Sequence, residues 1–135
     1  VSFTLSIETR VRLPTKGDNM PILDRDDSLR EELAPGVGRW RLVDGELGAE
    51  ALSIADLTLA ANSTVQNHIH PTEEAMVILD GELDAVLGDD TITVTKGQTV
   101  LAPAGVRHGF VNRSGNSARL MAIFPTPKME RTPVD

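Results

Sequence analysis

From Trp40 onward the chain is cut at short intervals by Gly, Asp, Asn and Pro into runs of four to eight residues. Runs of that length, rich in alternating apolar and polar residues, suit strands and are too short for packed helices. The candidate strands are 49–59, 76–80, 82–87, 91–95, 99–102, 108–112 and 118–124. Asp80-Gly81 is a tight hairpin signal, Gly88-Asp89-Asp90 and 112–117 mark further turns, and Pro103-Ala104-Gly105 suits a turn between strands. Many short strands without alternating helices predict an all-β protein, an antiparallel sandwich or barrel.

With 135 residues the chain favours one hydrophobic core. Its 13 basic and 20 acidic residues leave a formal charge of −7, which repels phosphate backbones and anionic lipid, so no nucleic acid and no membrane partner is expected. The chain has no cysteine, which removes disulfides, thiolate zinc sites and cysteine nucleophiles, so any metal must take nitrogen and oxygen ligands. No apolar run reaches the roughly 20 residues needed to cross a bilayer, and the first residues lack a secretory pattern, making a cytoplasmic protein the default.

Before the strand-rich part, Val1 to Leu13 alternates in part (Phe3, Leu5 and Ile7 against Thr4, Ser6 and Glu8), as an edge strand or an arm toward a second subunit would. Ser28 with Glu31 forms a possible capping box, Leu29 and Leu33 share a helical face, and Pro35-Gly36 ends the run; at most one short helix is predicted there. The expected organisation is an N-terminal arm with that helix over 1–39, a barrel over 40–125, and an extended or loose tail over 126–135.

His68 and His70 are two residues apart, so on a strand their side chains leave the same face about 7 Å apart and both can converge on one ion. Pro71 and Thr72 interrupt that strand, and a turn there would return Glu74 to the two rings. His108 opens a distant strand, and only a closed β architecture would unite it with the others. These are the only three histidines and there is no tyrosine, so a metal site using all of them leaves no free histidine as a general base.

At these residues the sequence closely resembles the cupin family. The first motif reads His68-x-His70, three residues, Glu74, six residues, Gly81; the second reads Gly97, five residues, Pro103-x-Gly105, two residues, His108, three residues, Asn112. One departure is Asn62, where the family pattern usually begins with glycine; asparagine tolerates left-handed geometry, so the turn is expected to survive. The resemblance spans 49–124 and implies a jelly-roll β-barrel, His68, His70, Glu74 and His108 as ligands of one divalent transition metal, and a frequent homodimer formed through sheet edges. A lone His-x-His pair also occurs on ordinary exposed strands; two motifs in the correct order that use every histidine weigh against that reading.

Three imidazoles and a carboxylate suit Fe, Mn, Ni, Co, Cu or Zn, and an octahedral ion would keep two positions open for water, substrate or dioxygen. Met76, Ile78 and Phe110 share strand faces with the ligands and are candidate substrate-lining residues, weighed against a role as barrel core. Asn112 is expected to serve a turn or a structural hydrogen bond, Glu73 to turn outward, and Arg107 to point away from His108. Arg39, Trp40 and Arg41 fit a solvated strand with one buried aromatic, or else a surface for a carboxylate-bearing ligand. The leading functional expectation is a metal-dependent small-molecule enzyme of oxygenase type. Resemblance to dioxygenases with this ligand set makes Glu74 the first choice for proton transfer, and so the candidate catalytic residue. A redox-neutral isomerase or lyase acting on a sugar or keto acid is the second, and a non-catalytic cupin that binds or senses a small ligand the third.

Overall fold

Period-two burial shapes the strands. Along Glu74–Asp80, the residues Glu74, Met76 and Ile78 are buried while Ala75 and Val77 between them are only partly so, and along Ala118–Phe124 the buried set is Ala118, Leu120, Ala122 and Phe124. Successive strand side chains point to opposite faces, so these sets define one inward surface. The computed structural model describes residues 20–135; the strand expected over Val1 to Leu13 lies outside the described residues.

In chain order the strands are β1 (Glu31–Ala34), β2 (Val37–Val43), β3 (Ser53–Leu59), β4 (Thr64–Ile69), β5 (Glu74–Asp80), β6 (Glu82–Leu87), β7 (Asp90–Thr95), β8 (Thr99–Ala102), β9 (His108–Val111), β10 (Ala118–Phe124) and β11 (Thr132–Pro133). They form a six-stranded sheet, β1-β2-β3-β10-β5-β8, and a five-stranded sheet, β11-β4-β9-β6-β7, with every pairing antiparallel. From β3 to β6 the chain changes sheet at each step, winding the two sheets around one core as a jelly roll. Val37, Leu59, Ile78, Leu83 and Leu120 fill that core. No helix among the described residues is long and apolar enough to cross a membrane.

Turns form where they were expected, but the Asp80-Gly81 turn closes no hairpin: β5 and β6 lie in different sheets, and the chain crosses between them there. Gly81 joins β5 to β6 at φ 81°, and a Cβ there would come within 2.8 Å of the Ser117 carbonyl oxygen, so both backbone sign and space require glycine. Asn62 takes φ 65°, the only non-glycine residue at positive φ among those described, and the turn survives without glycine. Asn112 is fully buried; its amide nitrogen donates to the carbonyls of Leu59, Ala60 and Asn116, and its oxygen accepts from Ser114. It locks two loops together, the structural role its position predicted.

The helix expected around 28–33 is not there. Arg25–Asp27 makes a single 3-10 turn capped by Asp24, and the chain then enters β1, which pairs with β2 across a turn at Pro35-Gly36 with Gly36 at φ 80°. So short a segment gains little from helix formation alone, whereas pairing with β2 places Leu33 against the core and Glu31 opposite Arg39. The run read as 49–59 also begins later, at Ser53, after a 3-10 turn at Gly45–Leu47.

On the outer face of the larger sheet, Asp56 is buried beneath two arginines. Arg119 binds it in bidentate fashion at 2.9 and 2.7 Å, and Arg25 donates at 2.7 Å while its guanidinium lies 4.0 Å from the Trp40 ring. The clamp ties the segment before β1 to β2, β3 and β10.

Candidate metal centre

Both sheets contribute to one cluster at an end of the barrel. β4 carries His68, and His70 follows just past its end; β9 opens with His108, which pairs directly with His68; Glu74 opens β5 in the opposite sheet. Gly109 lets β4 and β9 approach this closely, since a Cβ there would fall 2.6 Å from both the Val65 carbonyl oxygen and Asn67 Oδ1. The pairing register shifts between Val65 and His68, so the histidines are set by an irregular, closely packed pair of strands.

All four side chains are buried, and one potential ligand atom from each lies within 4.8 Å of all the others. Glu74 Oε1 stands 2.8 Å from His108 Nε2 and 3.2 Å from His70 Nε2. The second contact is short but poorly directed, and His70 Nε2 has no hydrogen-bond partner despite its burial. The opposite ring nitrogens are all engaged: Nδ1 of His68 meets the Gln66 carbonyl at 2.7 Å, that of His108 meets Val106 at 2.9 Å, and that of His70 meets Glu130 at 2.6 Å. A carbonyl only accepts, so each Nδ1 bears a proton and each ring turns its Nε2 to the shared centre, where His108 Nε2 also holds a proton toward Glu74 that a bound cation would replace.

Electrostatics point the same way. Burial pushes His68 down to about 4, against the pull of the Gln66 carbonyl, which keeps the ring neutral at physiological pH. Burial alone would raise Glu74, but the hydrogen bond from His108 and the close approach of His70 outweigh it and hold the carboxyl below its ordinary range. Burial likewise works against charge on His108, yet the adjoining Glu74 carboxylate lifts it above the usual histidine value. Three oriented imidazole donors, one ionised carboxylate and an orphaned buried nitrogen fit a divalent transition metal with nitrogen and oxygen preferences, of the Fe, Mn, Ni, Co, Cu or Zn type.

A chamber of about 50 Å³ adjoins the cluster, walled by Leu57, Val65, Met76, Phe110, Phe124 and Met129 together with Arg39 and Arg131. Beside it lies an outer cavity of about 440 Å³, and Arg39, Ala55, Phe124 and Met129 line both. Met76 and Phe110 thus stand in the chamber wall, whereas Ile78, on the same face of β5, packs in the core. Glu73 is exposed, and Arg107 turns from the cluster to the carbonyls of Gly88 and Asp135. Of the Arg39-Trp40-Arg41 run, Arg39 and Arg41 face the cavities, while Trp40 lies on the outer face under Arg25.

Sequence reasoning missed the C-terminal segment. The stretch expected to be extended or loose pairs with β4, Thr132 opposite Ile69 and Pro133 opposite His68; Glu130 orients His70, and Met129 and Arg131 close the chamber. The spacing of Met129 and Arg131 was the available signal, an alternation hidden among prolines.

Comparison with known proteins agrees with this geometry. The family model described as "Cupin domain" matches residues 55–124, just over half of the chain. Acireductone dioxygenase of Tuber melanosporum (strain Mel28) is 37% identical over 62 residues, 42% of this chain and 36% of the relative, so the chain spans little more than a third of that protein's length. An uncharacterized protein of Streptomyces coelicolor is 29% identical over 104 residues, covering 77% of this chain and 95% of the relative. Among solved structures, the polyketide cyclase RemF from Streptomyces resistomycificus superposes with a TM-score of 0.77 at 25% identity over 87% of each chain. With its two-sheet jelly roll, both sequence motifs and the family match over the barrel, the chain belongs to the cupin family.

Proposed function

We propose that this chain is a metal-dependent enzyme acting on a small molecule, with His68, His70, Glu74 and His108 holding one divalent transition metal and an oxygenase reaction as the leading chemistry. The observation that carries the proposal is the convergence of three Nε2 atoms and one carboxylate, each ring held in the required tautomer by a backbone carbonyl. When bound, the metal supplies Lewis acidity and orients the substrate's oxygen atoms. The chain's own residues do the rest. Met76, Phe110, Phe124 and Met129 exclude water and receive an apolar substrate body. His68 stays neutral because it is buried. With no tyrosine and all the histidines in the cluster, proton transfer is left to water, Glu74 or another acidic residue, and resemblance to dioxygenases with this ligand set makes Glu74 the first choice. Held below the ordinary carboxyl range, Glu74 is ionised at neutral pH, the form that can ligate a cation and accept a proton.

Similarity to acireductone dioxygenase supports the oxygenase reading over the aligned 62 residues. Likeness to a polyketide cyclase over 87% of both chains supports a second, redox-neutral reading, in which the same site performs isomerase- or lyase-type chemistry without dioxygen. One experiment separates them. Protein loaded in turn with Fe, Mn, Ni, Co, Cu and Zn is offered diketones, catechols, flavonols and keto acids in an oxygen electrode, with product mass measured. Oxygen uptake coupled to product bearing added oxygen supports the first reading; turnover under anaerobic conditions supports the second. Tight binding without turnover across the panel would favour a ligand-binding cupin. Assembly as a homodimer belongs to the same proposal: edge strands β7 and β8 expose Ile92 and Leu101, and light scattering at micromolar concentration should read twice the chain mass.

A further inference from the structure

The chain is acidic overall, with a formal charge of −7, yet its chamber wall is basic. Arg39 enters from β2 and Arg131 from the segment just before β11, and both line the chamber beside the histidine cluster. Arg39 donates to Glu31 at 3.1 Å, but the same Glu31 oxygen also lies 3.5 Å from Arg41, so one carboxylate is divided between two guanidinium groups. Arg131 has no hydrogen bond or ion pair with any other described residue, and its Nε is buried without a partner. Burial holds its guanidinium below the ordinary arginine range and repulsion from Arg39 adds to this, with only Glu74 opposing.

A half-buried guanidinium with one buried, unsatisfied donor and a like charge nearby is costly, and an anion shared by both groups removes each cost at once. The planar fork of arginine matches a carboxylate, and the surrounding wall of Leu57, Phe110 and Met129 suits an apolar chain rather than a hydrated, doubly charged group. We propose that Arg131 and Arg39 form an anion subsite on the chamber wall that receives the carboxylate of a small, otherwise apolar substrate and aims the rest of the molecule at the histidine cluster. The aim toward a reactive centre rests on the function proposed above; the subsite's affinity for a carboxylate does not. Arg131 is a positioning and specificity residue in this arrangement, supplied by the C-terminal segment and not by either cupin motif.

The test is calorimetric titration of the full chain with hexanoate and with its neutral counterpart hexanamide, in chelator-treated and zinc-loaded protein. In chelator-treated protein, hexanoate should bind at least about tenfold more tightly than hexanamide, the scale of a hydrogen-bonded charge. Arg131→Gln should abolish that preference, leave hexanamide binding unchanged, hold zinc at least as tightly as the parent, and melt within a few degrees of it; Arg131→Lys should restore part of the preference. Arg39→Gln should weaken hexanoate binding in the same sense and keeps the test readable if Arg131→Gln fails to fold. Equal binding of hexanoate and hexanamide by the parent, or an undiminished preference in the folded variants, overturns the subsite. Protein that binds hexanoate through Arg131 but takes up no zinc at the cluster would keep the subsite and refute the metal centre; zinc uptake without carboxylate preference would do the reverse.

Discussion

Ending the chain after Lys128 removes the carbonyl that orients His70 without touching any of the four proposed ligands. Glu130 accepts from His70 Nδ1 at 2.6 Å; without it, that proton turns to water, the ring is free to adopt either tautomer, and its orientation is no longer fixed. Loss of such an outer partner typically lowers metal affinity about 10- to 100-fold, or about 1.4 to 2.7 kcal/mol. The rest of the barrel should persist, because β11 contributes only two residues to an edge of its sheet. Zinc competition against a chromophoric chelator gives the affinity, and circular dichroism checks the fold. Arg131→Gln is the matched control: it keeps the Glu130 carbonyl, removes a positive charge beside the cluster and should bind zinc at least as tightly as the parent. Truncated protein that is folded and binds zinc as tightly as the parent would show that the tautomer argument is wrong.

Gly109→Ala should destabilise the fold by about 1–3 kcal/mol in urea and weaken zinc binding together with it, because the new methyl group must push β4 away from β9 where His68 faces His108. Asp56→Asn should cost about 1–3 kcal/mol at neutral pH by removing charge from a carboxylate held by Arg119 and Arg25. Burial opposes ionisation of Asp56, but the two arginines win and its carboxyl sits below the ordinary value. Its contribution is therefore full above the unfolded-state value and lost as pH falls through the folded one, so parent and variant stabilities should converge in acid; a constant gap down to pH 2 would refute this. Bound zinc should leave as pH falls through the range in which imidazoles take protons, and undiminished zinc content at pH 3 would contradict the ligand set.

Strand content and turn positions were legible because they depend on local chemistry, and the four-residue cluster because its two motifs resemble those of the cupin family. Asp80-Gly81 demands a tight turn wherever it lies, Asn62 can hold a left-handed turn on its own, and His68-x-His70 shares one strand face by the period of the backbone. The segment 28–33 shows the limit of such reasoning: its capping pattern is as good for a helix as its side chains are for β1, and β2, a partner outside the window, decides.

The C-terminal segment carries the same lesson to the site. The alternation of Met129 and Arg131 is too short to mark a chamber wall by itself; pairing of β11 with β4 places them there, and the Glu130 carbonyl against a histidine 60 residues earlier. By itself the sequence determined which side chains can ligate, which turns can form and that the chain is an antiparallel sandwich or barrel, since those follow from residue type and short spacing; the jelly roll was what its resemblance to the cupin family implied. Tertiary structure alone decided which carbonyl orients His70, which arginines face the chamber and which apolar residues line it instead of filling the core, because each depends on contact between segments far apart in the chain.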